Sequence, residues 1–260
     1  MKSIASRDNP GFKALRSLAQ DHRLQRDSGR TVIEGPHLLT ACLDHGGVPE
    51  LLAVSESAVD KPEVAALLAR AAASETIVLR DVLFREISEL ATPVGILARI
   101  AIPHEPATFP VGDCLLLDAV QDAGNVGALL RTAAAAGVRD VLLGTGCAGA
   151  WTPRVLRAAQ GAHFGLQIRE QVDLASFLRH YTGASIATVA HAGAELYALD
   201  FAQPTAWLFG NEGGGLAPEL IASAKRCATI PLAAGSESLN VAAAAAVCLF
   251  EMRRQRRMQK

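Results

Sequence analysis

The chain has 260 residues, of which 50% are hydrophobic and 20% are charged, and its formal net charge at pH 7 is −1. This length accommodates one large domain or two modest ones, and the hydrophobic content excludes a chain that is disordered throughout. The overall charge gives no sign of a nucleic-acid partner, so such a partner has to be inferred from local features.

Residues 1–105 are predicted to form a small α/β domain. Apolar residues at helical spacing, preceded by Pro10 and Gly11, predict a helix at 12–24. The apolar run Thr31-Val32-Ile33 predicts a short strand that ends in Glu34-Gly35-Pro36. The further predicted elements are a helix at 37–45, a strand at 51–54, a helix at 62–73, and strands at 76–79 and 95–102.

A linker and a second domain follow. Three prolines fall within residues 103–110 without hydrophobic periodicity, and we place the linker at 106–112 and the second domain at 113–260. In this second domain strands alternate with glycine-bearing turns and helices, which predicts an α/β fold with a mostly parallel sheet covered on both faces. The predicted strands lie at 114–120, 140–143, 207–209 and 228–232, and the predicted helices at 127–136 and from 238 onward.

Positive charge is concentrated at the two ends of the chain. Residues 1–30 carry seven Lys or Arg against three Asp, and the last ten residues carry five against one Glu, so each end has a net charge of +4. Basic ends of this kind can bind RNA phosphates. By charge alone, however, solvent-exposed helix faces are the more common explanation of the same pattern.

The cysteines and the hydropathy pattern bear on location. Five cysteines form neither a CxxC pair nor a zinc-ligand spacing, which is typical of reduced thiols in a cytoplasmic protein and predicts no metal site. The longest apolar run, residues 241–250, is too short to span a bilayer, and residues 1–11 lack the apolar core of a signal peptide. We therefore expect a cytoplasmic location without membrane contact.

In the second domain, polar residues follow a predicted strand at Asp122-Ala-Gly124-Asn125, and the next predicted helix carries Arg131. Open α/β sheets bind their ligands in such loops, at the carboxyl ends of the strands. Arginine offers a planar fork of donors that suits phosphate. Taken alone, an Asn in a turn and an Arg on a helix are more often structural.

Two further segments share this placement. Residues 210–215 contain four glycines around Glu212, which indicates either a ligand that needs close backbone approach or a plain tight turn. The segment from Ile230-Pro231 to Ser238-Leu239-Asn240 precedes an alanine-rich helix. Ser238 or Asn240 can serve simply as the cap of that helix.

A fourth segment, Gly144-Thr-Gly146-Cys-Ala-Gly149, matches the GxGxxG pattern of dinucleotide-binding turns, and Glu170 follows at about the distance of the ribose-binding acid. Trp151-Thr-Pro153, however, interrupts the helix that has to begin at the third glycine. A lone GxGxxG is a weak signal, so an NAD-binding oxidoreductase is a minor alternative.

The three other segments, taken in order, resemble the motifs of the SpoU-type RNA 2′-O-methyltransferases of the SPOUT superfamily. Asn125-x-Gly127-x-x-x-Arg131 resembles the first motif, Gly210-Asn211-Glu212-Gly213 the second, and Ile230-Pro231 with Ser238-Leu239-Asn240-Val241 the third. This resemblance covers residues 113–260. The N-terminal region also resembles the substrate-binding domain of the family, through Ile33-Glu34-Gly35-Pro36 and Thr92-Pro93-Val94-Gly95.

The resemblance implies a trefoil knot in the C-terminal domain, a homodimer formed through this domain, and S-adenosylmethionine (AdoMet) bound by the knot loops. It implies cofactor contacts at Gly210, Ile230 and Leu239. The residues that it implies around the reacting groups are Arg131, Asn125, Glu212, Ser238 and Asn240. In this family the first-motif arginine is commonly proposed as the base. Because guanidinium stays protonated in proteins, we expect Arg131 to act electrostatically instead.

The expected reaction is methyl transfer from AdoMet to a ribose 2′-hydroxyl of RNA. The two-domain layout resembles the enzymes of ribosomal RNA more than those of transfer RNA, and the basic ends are expected to hold RNA phosphates. The alternatives are a transfer RNA 2′-O-methyltransferase, a non-catalytic RNA-binding member of the family, and the NAD-binding oxidoreductase.

Overall fold

In the computed structural model, which describes residues 1–72 and 74–258, internal contacts divide the chain into two units. The first unit comprises residues 1–104 and 151–164, and the second comprises 105–150 and 165–260. Each unit has its own cluster of buried apolar side chains. Residue 73, at the end of the predicted helix at 62–73, and Lys260 of the basic C-terminal end lie outside the described residues.

The first unit contains a five-stranded mixed sheet. Its strands are β1 (Lys2–Ile4), β2 (Arg30–Glu34), β3 (Leu51–Ser55), β4 (Glu75–Leu79) and β5 (Ile96–Ala101). The order across the sheet is β1-β4-β3-β5-β2. Strands β1, β4 and β3 run parallel, whereas β5 is antiparallel to both β3 and β2. The predicted small α/β domain is therefore present, with the N-terminal β1 as an additional strand.

Helices flank this sheet at α1 (Pro10–Gln20), α2 (His22–Ser28), α3 (Pro36–Asp44), α4 (Pro62–Arg70) and α5 (Asp81–Ile87). The single helix predicted at 12–24 is wrong, because the chain forms two helices that meet at Asp21. The Asp21 carboxylate accepts hydrogen bonds from the backbone N–H groups of Arg23 (2.8 Å) and Leu24 (3.1 Å). It thereby starts a new helix where the apolar spacing alone suggests continuation.

The second unit is built on a seven-stranded sheet. Its strands are β6 (Cys114–Leu117), β7 (Asp140–Gly144), β8 (Gln167–Val172), β9 (Ala184–Thr188), β10 (Ala194–Glu195), β11 (Thr205–Phe209) and β12 (Arg226–Thr229). Every neighbouring pair in the order β10-β12-β9-β11-β6-β7-β8 is parallel, so the predicted parallel sheet is confirmed. Strands β6 and β11 are buried along their whole length, as their unbroken apolar runs predict.

The remaining helices are α6 (Ala123–Ala136), α7 (Pro153–Ala159), α8 (Leu174–His180), α9 (Pro218–Ser223) and α10 (Val241–Met258). Helix α10 packs against α6. Strand β11 lies between β6 and β9, so the loops that follow these parallel strands converge at one edge of the sheet. None of the helices formed by residues 1–72 and 74–258 has the length and hydropathy that a bilayer crossing requires.

Residues 151–164 belong to the first unit by their contacts, although the predicted second domain includes them. The Thr31 hydroxyl donates a hydrogen bond to the carbonyl of Trp151 (2.7 Å), and Val155 and Leu156 of α7 are fully buried. Helix α7 begins only at Pro153, so Gly149 does not open a helix. The GxGxxG segment therefore lacks the helix N-terminus that binds a pyrophosphate in dinucleotide sites.

The residues of the predicted linker, 106–112, belong to the second unit by their contacts. Arg169 of β8 is almost fully buried, its guanidinium lies 5.6 Å from the centre of the Phe109 ring, and it donates a hydrogen bond to the carbonyl of Thr108. The same side chain forms an ion pair with Asp140 (3.1 Å). Proline content predicted a connection without regular structure here, and the buried cation fixes its course.

The basic C-terminal end anchors α10 within the second unit. The Arg256 guanidinium pairs with the carboxylate of Asp113 and donates to the carbonyl of Phe201 (2.8 Å). Arg253 donates to the carbonyl of Ala136 at the end of α6 (2.9 Å). These two arginines, which the charge pattern assigns to RNA phosphates, thus have structural partners within the protein.

We expect Arg256→Ala to lower the free energy of unfolding by roughly 1.5–3 kcal/mol, the value of a hydrogen bond to a charged group. The substitution leaves the carboxylate of Asp113 with the backbone N–H of Thr205 (2.8 Å) as a donor but without its cation. Denaturant unfolding followed by circular dichroism measures the change. Arg257→Ala is the matched control, because Arg257 is exposed on the same helix. Equal stability of the two variants contradicts the anchoring role.

Candidate active site

A cleft of about 780 Å³ opens in the second unit beside the carboxyl ends of β9, β11 and β12. Three stretches provide most of its lining, namely residues 188–191 from the end of β9, residues 209–216 from the end of β11, and residues 237–241 at the start of α10. The volume lies within the range of pockets that hold a whole cofactor or small-molecule ligand. Apolar side chains and exposed backbone of the glycine-rich loop are both available to such a ligand.

The structure brings most of the predicted site residues to this cleft. Six of the eight line it directly: Gly210, Glu212, Ile230, Ser238, Leu239 and Asn240. Asn125 joins them through side-chain hydrogen bonds to Glu212 and Asn240. Arg131 does not line the cleft.

The side-chain amide of Asn125 links three separate segments of the chain. Its Nδ2 donates to Glu212 Oε1 (2.9 Å), and its Oδ1 accepts from Asn240 Nδ2 (2.9 Å). Asn240 Oδ1 in turn accepts from the backbone N–H of Ala242 (2.9 Å), which caps α10. The donor and the acceptor group of the Asn125 amide both form hydrogen bonds, so this residue holds together the segments that follow β6, β11 and β12.

Glu212 is fixed by the loop after β6. Besides Asn125, the backbone N–H groups of Asp122 (3.3 Å) and Gln121 (3.4 Å) donate to its carboxylate. Partial burial by itself raises the pKa of Glu212, but these hydrogen bonds outweigh burial and hold the pKa below its ordinary value. An ionised carboxylate of lowered pKa is a weak base near neutral pH, which favours an organising role over proton abstraction.

A reciprocal pair of side-chain contacts joins the ends of β6 and β11. Asn211 Nδ2 donates to the carbonyl of Ala119 (2.8 Å), and Asp118 Oδ2 accepts from the backbone N–H of Ala217 (2.8 Å). Asn211 Oδ1 also accepts from the N–H of Gly213 (2.9 Å) and so closes the glycine-rich turn on itself. Ala119 has a φ of 51°, a left-handed conformation that non-glycine residues adopt only where surrounding contacts impose it.

Three further predicted residues at the cleft, Ser238, Leu239 and Ile230, provide one hydroxyl and two apolar side chains. Ser238 is exposed and forms no hydrogen bond with other residues of the described chain, so its hydroxyl is available to a ligand. Leu239 is 39% exposed at the cleft, and Ile230 is half-buried. These two side chains present apolar surface to whatever occupies the cleft.

Arg131 lies on the exposed face of α6, two turns after Asn125. Within residues 1–72 and 74–258, its guanidinium forms neither an ion pair nor a hydrogen bond. An arginine without a partner inside the protein is suited to an external anion such as a phosphate. Arg131 shares helix α6 with Asn125 but does not line the wall of the cleft.

Residues 188–191 are a part of the cleft that the sequence patterns missed. They begin at the last residue of β9, for which no strand is predicted, and they include His191. The loop is tight, since Ala192 has a φ of 64° and the N–H of Gly193 donates to Thr229 Oγ1 (3.0 Å). The available signal was the apolar stretch Ile186-Ala187 before Thr188, which is typical of a short buried strand.

Comparison with known proteins gives matches over both units. Residues 114–250 match the family model described as SpoU rRNA Methylase family, and residues 9–98 match the MRM3-like substrate binding domain.

No group of three or more His, Cys, Asp or Glu side chains suited to a metal ion occurs in the part of the chain that the structure describes.

Individual relatives match over nearly the whole chain. An uncharacterized tRNA/rRNA methyltransferase of Synechocystis is 34% identical, with 97% of this chain and 94% of the relative covered. The 23S rRNA (guanosine(2553)-2′-O)-methyltransferase RlmP of Bacillus subtilis is 31% identical, with 97% and 100% covered. The solved structure of an AdoMet-bound rRNA methyltransferase from Sinorhizobium meliloti has a TM-score of 0.86 at 27% identity and covers 97% of each chain.

Proposed function

Because this chain belongs to the SpoU rRNA methylase family, we propose that it transfers the methyl group of AdoMet to a ribose 2′-hydroxyl of ribosomal RNA. The observation that carries the proposal is the cleft at the carboxyl ends of β9, β11 and β12, where Asn125, Glu212 and Asn240 are joined by hydrogen bonds. The family uses AdoMet, and solved relatives hold it. The domain matched at residues 9–98 supports an RNA substrate.

The residues of the cleft fit this cofactor. Its volume suits an adenosine joined to an amino-acid tail, and Ile230 and Leu239 offer apolar surface for a flat purine. Gly210 has no room for a side chain, because a Cβ there lies 2.2 Å from the carbonyl carbon of Gly215. We assign Gly210, Ile230 and Leu239 to cofactor binding on these grounds.

We assign Arg131, Asn125, Glu212, Ser238 and Asn240 to the surroundings of the reacting groups. When bound, AdoMet supplies a methyl group that is already activated, so the protein has to position the ribose hydroxyl and stabilise the charge on its oxygen. Holding two reactants in attack geometry contributes roughly 7–11 kcal/mol. Asn125, Glu212 and Asn240 keep the three loops in place, and Ser238 orients the hydroxyl. Arg131 holds a neighbouring phosphate and stabilises the developing negative charge.

The experiment that tests the function pairs calorimetry with a methylation assay. We expect saturable binding of AdoMet and none of NAD, and transfer of labelled methyl to ribosomal RNA rather than to transfer RNA. Labelling of transfer RNA alone favours the transfer RNA alternative, which the name of the Synechocystis relative leaves open. Binding of NAD alone overturns the proposal, and AdoMet binding without transfer to any RNA favours a non-catalytic member.

Several arginines of the first unit have acidic partners within the protein. Arg7 and Arg16 pair with Glu86, and Arg30 pairs with Glu50. On α2, by contrast, the exposed Arg23 and Arg26 have at most a distant partner, Asp27, which lies 3.9 Å from Arg26. We propose that these two arginines contribute phosphate contacts.

We expect the double variant Arg23→Glu, Arg26→Glu to bind RNA less tightly, while its AdoMet affinity stays unchanged. The slope of log affinity against log salt concentration is expected to be less steep by roughly 1–2. RNA binding is measured by fluorescence anisotropy at several salt concentrations. In the matched control, glutamate replaces Arg139 and Arg179, two exposed arginines of the second unit. Equal losses in both double variants contradict a dedicated role of α2. Substitution is preferable to deletion of residues 1–105, since deletion uncovers the buried face of α7.

Three further properties belong to the same proposal. We propose a trefoil knot in the second unit, supported by the insertion of β11 between β6 and β9. We propose a homodimer formed through this unit. Its support is Phe250 on the alanine-rich α10, an aromatic side chain that is 46% exposed. Sedimentation equilibrium tests the oligomeric state. We propose a cytoplasmic location on the strength of five free cysteines, which cell fractionation tests.

A further inference from the structure

The cleft is lined by two acidic side chains and by no lysine or arginine. Its ionisable lining side chains are Glu212, Glu237 and His191. Glu212 is committed to Asn125 and to the backbone of residues 121–122. Glu237 is exposed, and its carboxylate forms no hydrogen bond or ion pair with any other residue in the described ranges. It is therefore the carboxylate of the cleft that remains available to a ligand.

The negative charge of Glu237 acts differently on the proposed cofactor and on its product. AdoMet carries a positive sulfonium in addition to the ammonium and carboxylate of its amino-acid tail, so its net charge near neutral pH is positive. Once the methyl group has left, the sulfur is a neutral thioether, and S-adenosylhomocysteine (AdoHcy) has no net charge. The two molecules otherwise have nearly the same shape. A carboxylate in the cleft therefore distinguishes them by Coulomb attraction rather than by fit.

We propose that Glu237 is a specificity-determining residue that favours AdoMet over AdoHcy through the charge of its carboxylate. The inference rests on the proposed function and deepens it. Glu237 lies in the stretch that also carries Ser238 and Asn240, and Asn240 is anchored as the cap of α10 by the N–H groups of Ala242 (2.9 Å) and Ala243 (3.3 Å). Loss of the attraction after transfer weakens binding of the product and so promotes exchange for fresh cofactor.

Calorimetric titration of the full chain with AdoMet and with AdoHcy tests the proposal. In the Glu237→Gln variant we expect AdoMet affinity to fall about threefold to fivefold, as for an exposed ion pair, and AdoHcy affinity to change by less than about twofold. In the wild type, raised ionic strength is expected to reduce the preference for AdoMet, since salt screens an exposed charge.

Two variants serve as controls. Glu219→Gln makes the same change of charge in the first turn of α9, where Glu219 is exposed and does not line the cleft, and it is expected to keep the wild-type preference. Glu237→Asp keeps the carboxylate and is expected to keep most of the preference. Circular dichroism confirms that each variant is folded.

The outcomes separate this inference from the proposed function. Equal losses for AdoMet and AdoHcy, or an unchanged preference in Glu237→Gln, overturn the charge role while leaving the cofactor site intact. A matching loss of preference in Glu219→Gln also overturns it, because the effect then belongs to overall charge. Wild-type protein that binds neither molecule refutes the cofactor assignment itself, and the inference falls with it.

Discussion

Replacing Arg131 with alanine is expected to reduce methyl transfer by roughly 10²–10³-fold, the loss that follows removal of one donor to a developing oxyanion. Affinity for AdoMet is expected to stay at the wild-type value, because Arg131 does not line the cleft. Single-turnover transfer to RNA measures the first quantity and calorimetry the second. The exposed Arg139 provides the matched control, since Arg139→Ala removes the same charge just beyond the end of α6.

The companion substitution Arg131→Lys separates two roles. Lysine keeps the positive charge but loses the planar fork, so retained transfer with a shifted pH profile supports an electrostatic role. A rate as low as that of the alanine variant indicates that the geometry of the guanidinium is essential. Unchanged transfer in Arg131→Ala, or a loss of AdoMet affinity there, contradicts the assignment.

Gly210→Ala is expected to lower AdoMet affinity by roughly 10- to 100-fold, the effect of an overpacked site. The added Cβ lies 2.3 Å from the backbone nitrogen of Leu216 and 2.2 Å from the carbonyl carbon of Gly215, so the glycine-rich loop has to open. This loop carries Glu212, which accepts a hydrogen bond from Asn125 and so links two neighbouring loops. Calorimetry with AdoMet measures the loss.

A glycine outside the cleft supplies a control for this prediction. A Cβ at Gly112 has no neighbour within 4 Å, and Gly112 does not line the cleft. Gly112→Ala is therefore expected to bind AdoMet within about twofold of the wild type, since it adds a methyl without overpacking. Equal affinity in both variants means that close packing at Gly210 is not what shapes the cleft.

Much of the second unit is predictable from local patterns. Continuous apolar runs mark β6, β7 and β11, because parallel strands buried on both faces carry few polar residues. Strand β8 contains both polar and apolar residues, and β10 has only two residues. Neither has a continuous apolar run, so neither was predicted. In the first unit, the apolar spacing at 12–24 hides the helix break at Asp21, where a side-chain cap outweighs the continuing pattern.

The family and the identity of the motif residues also follow from the sequence. The ordered segments at Asn125, Gly210 and Ser238 predict the family, and the match over residues 114–250 confirms it. Their roles in binding and catalysis stay predictions. No signal in the sequence indicates that residues 151–164 belong to the first unit. The apolar face of α7 can pack on any apolar surface, so its pattern does not identify the partner.

The sequence by itself determined local conformations, namely which runs are buried strands and where glycines permit tight turns. These depend on interactions between near neighbours in the chain. Only the tertiary structure decided that β11 lies between β6 and β9, which brings Asn125, Glu212 and Asn240 within hydrogen-bond distance. The reason is physical, because contacts between residues far apart in the chain depend on how whole strands pack.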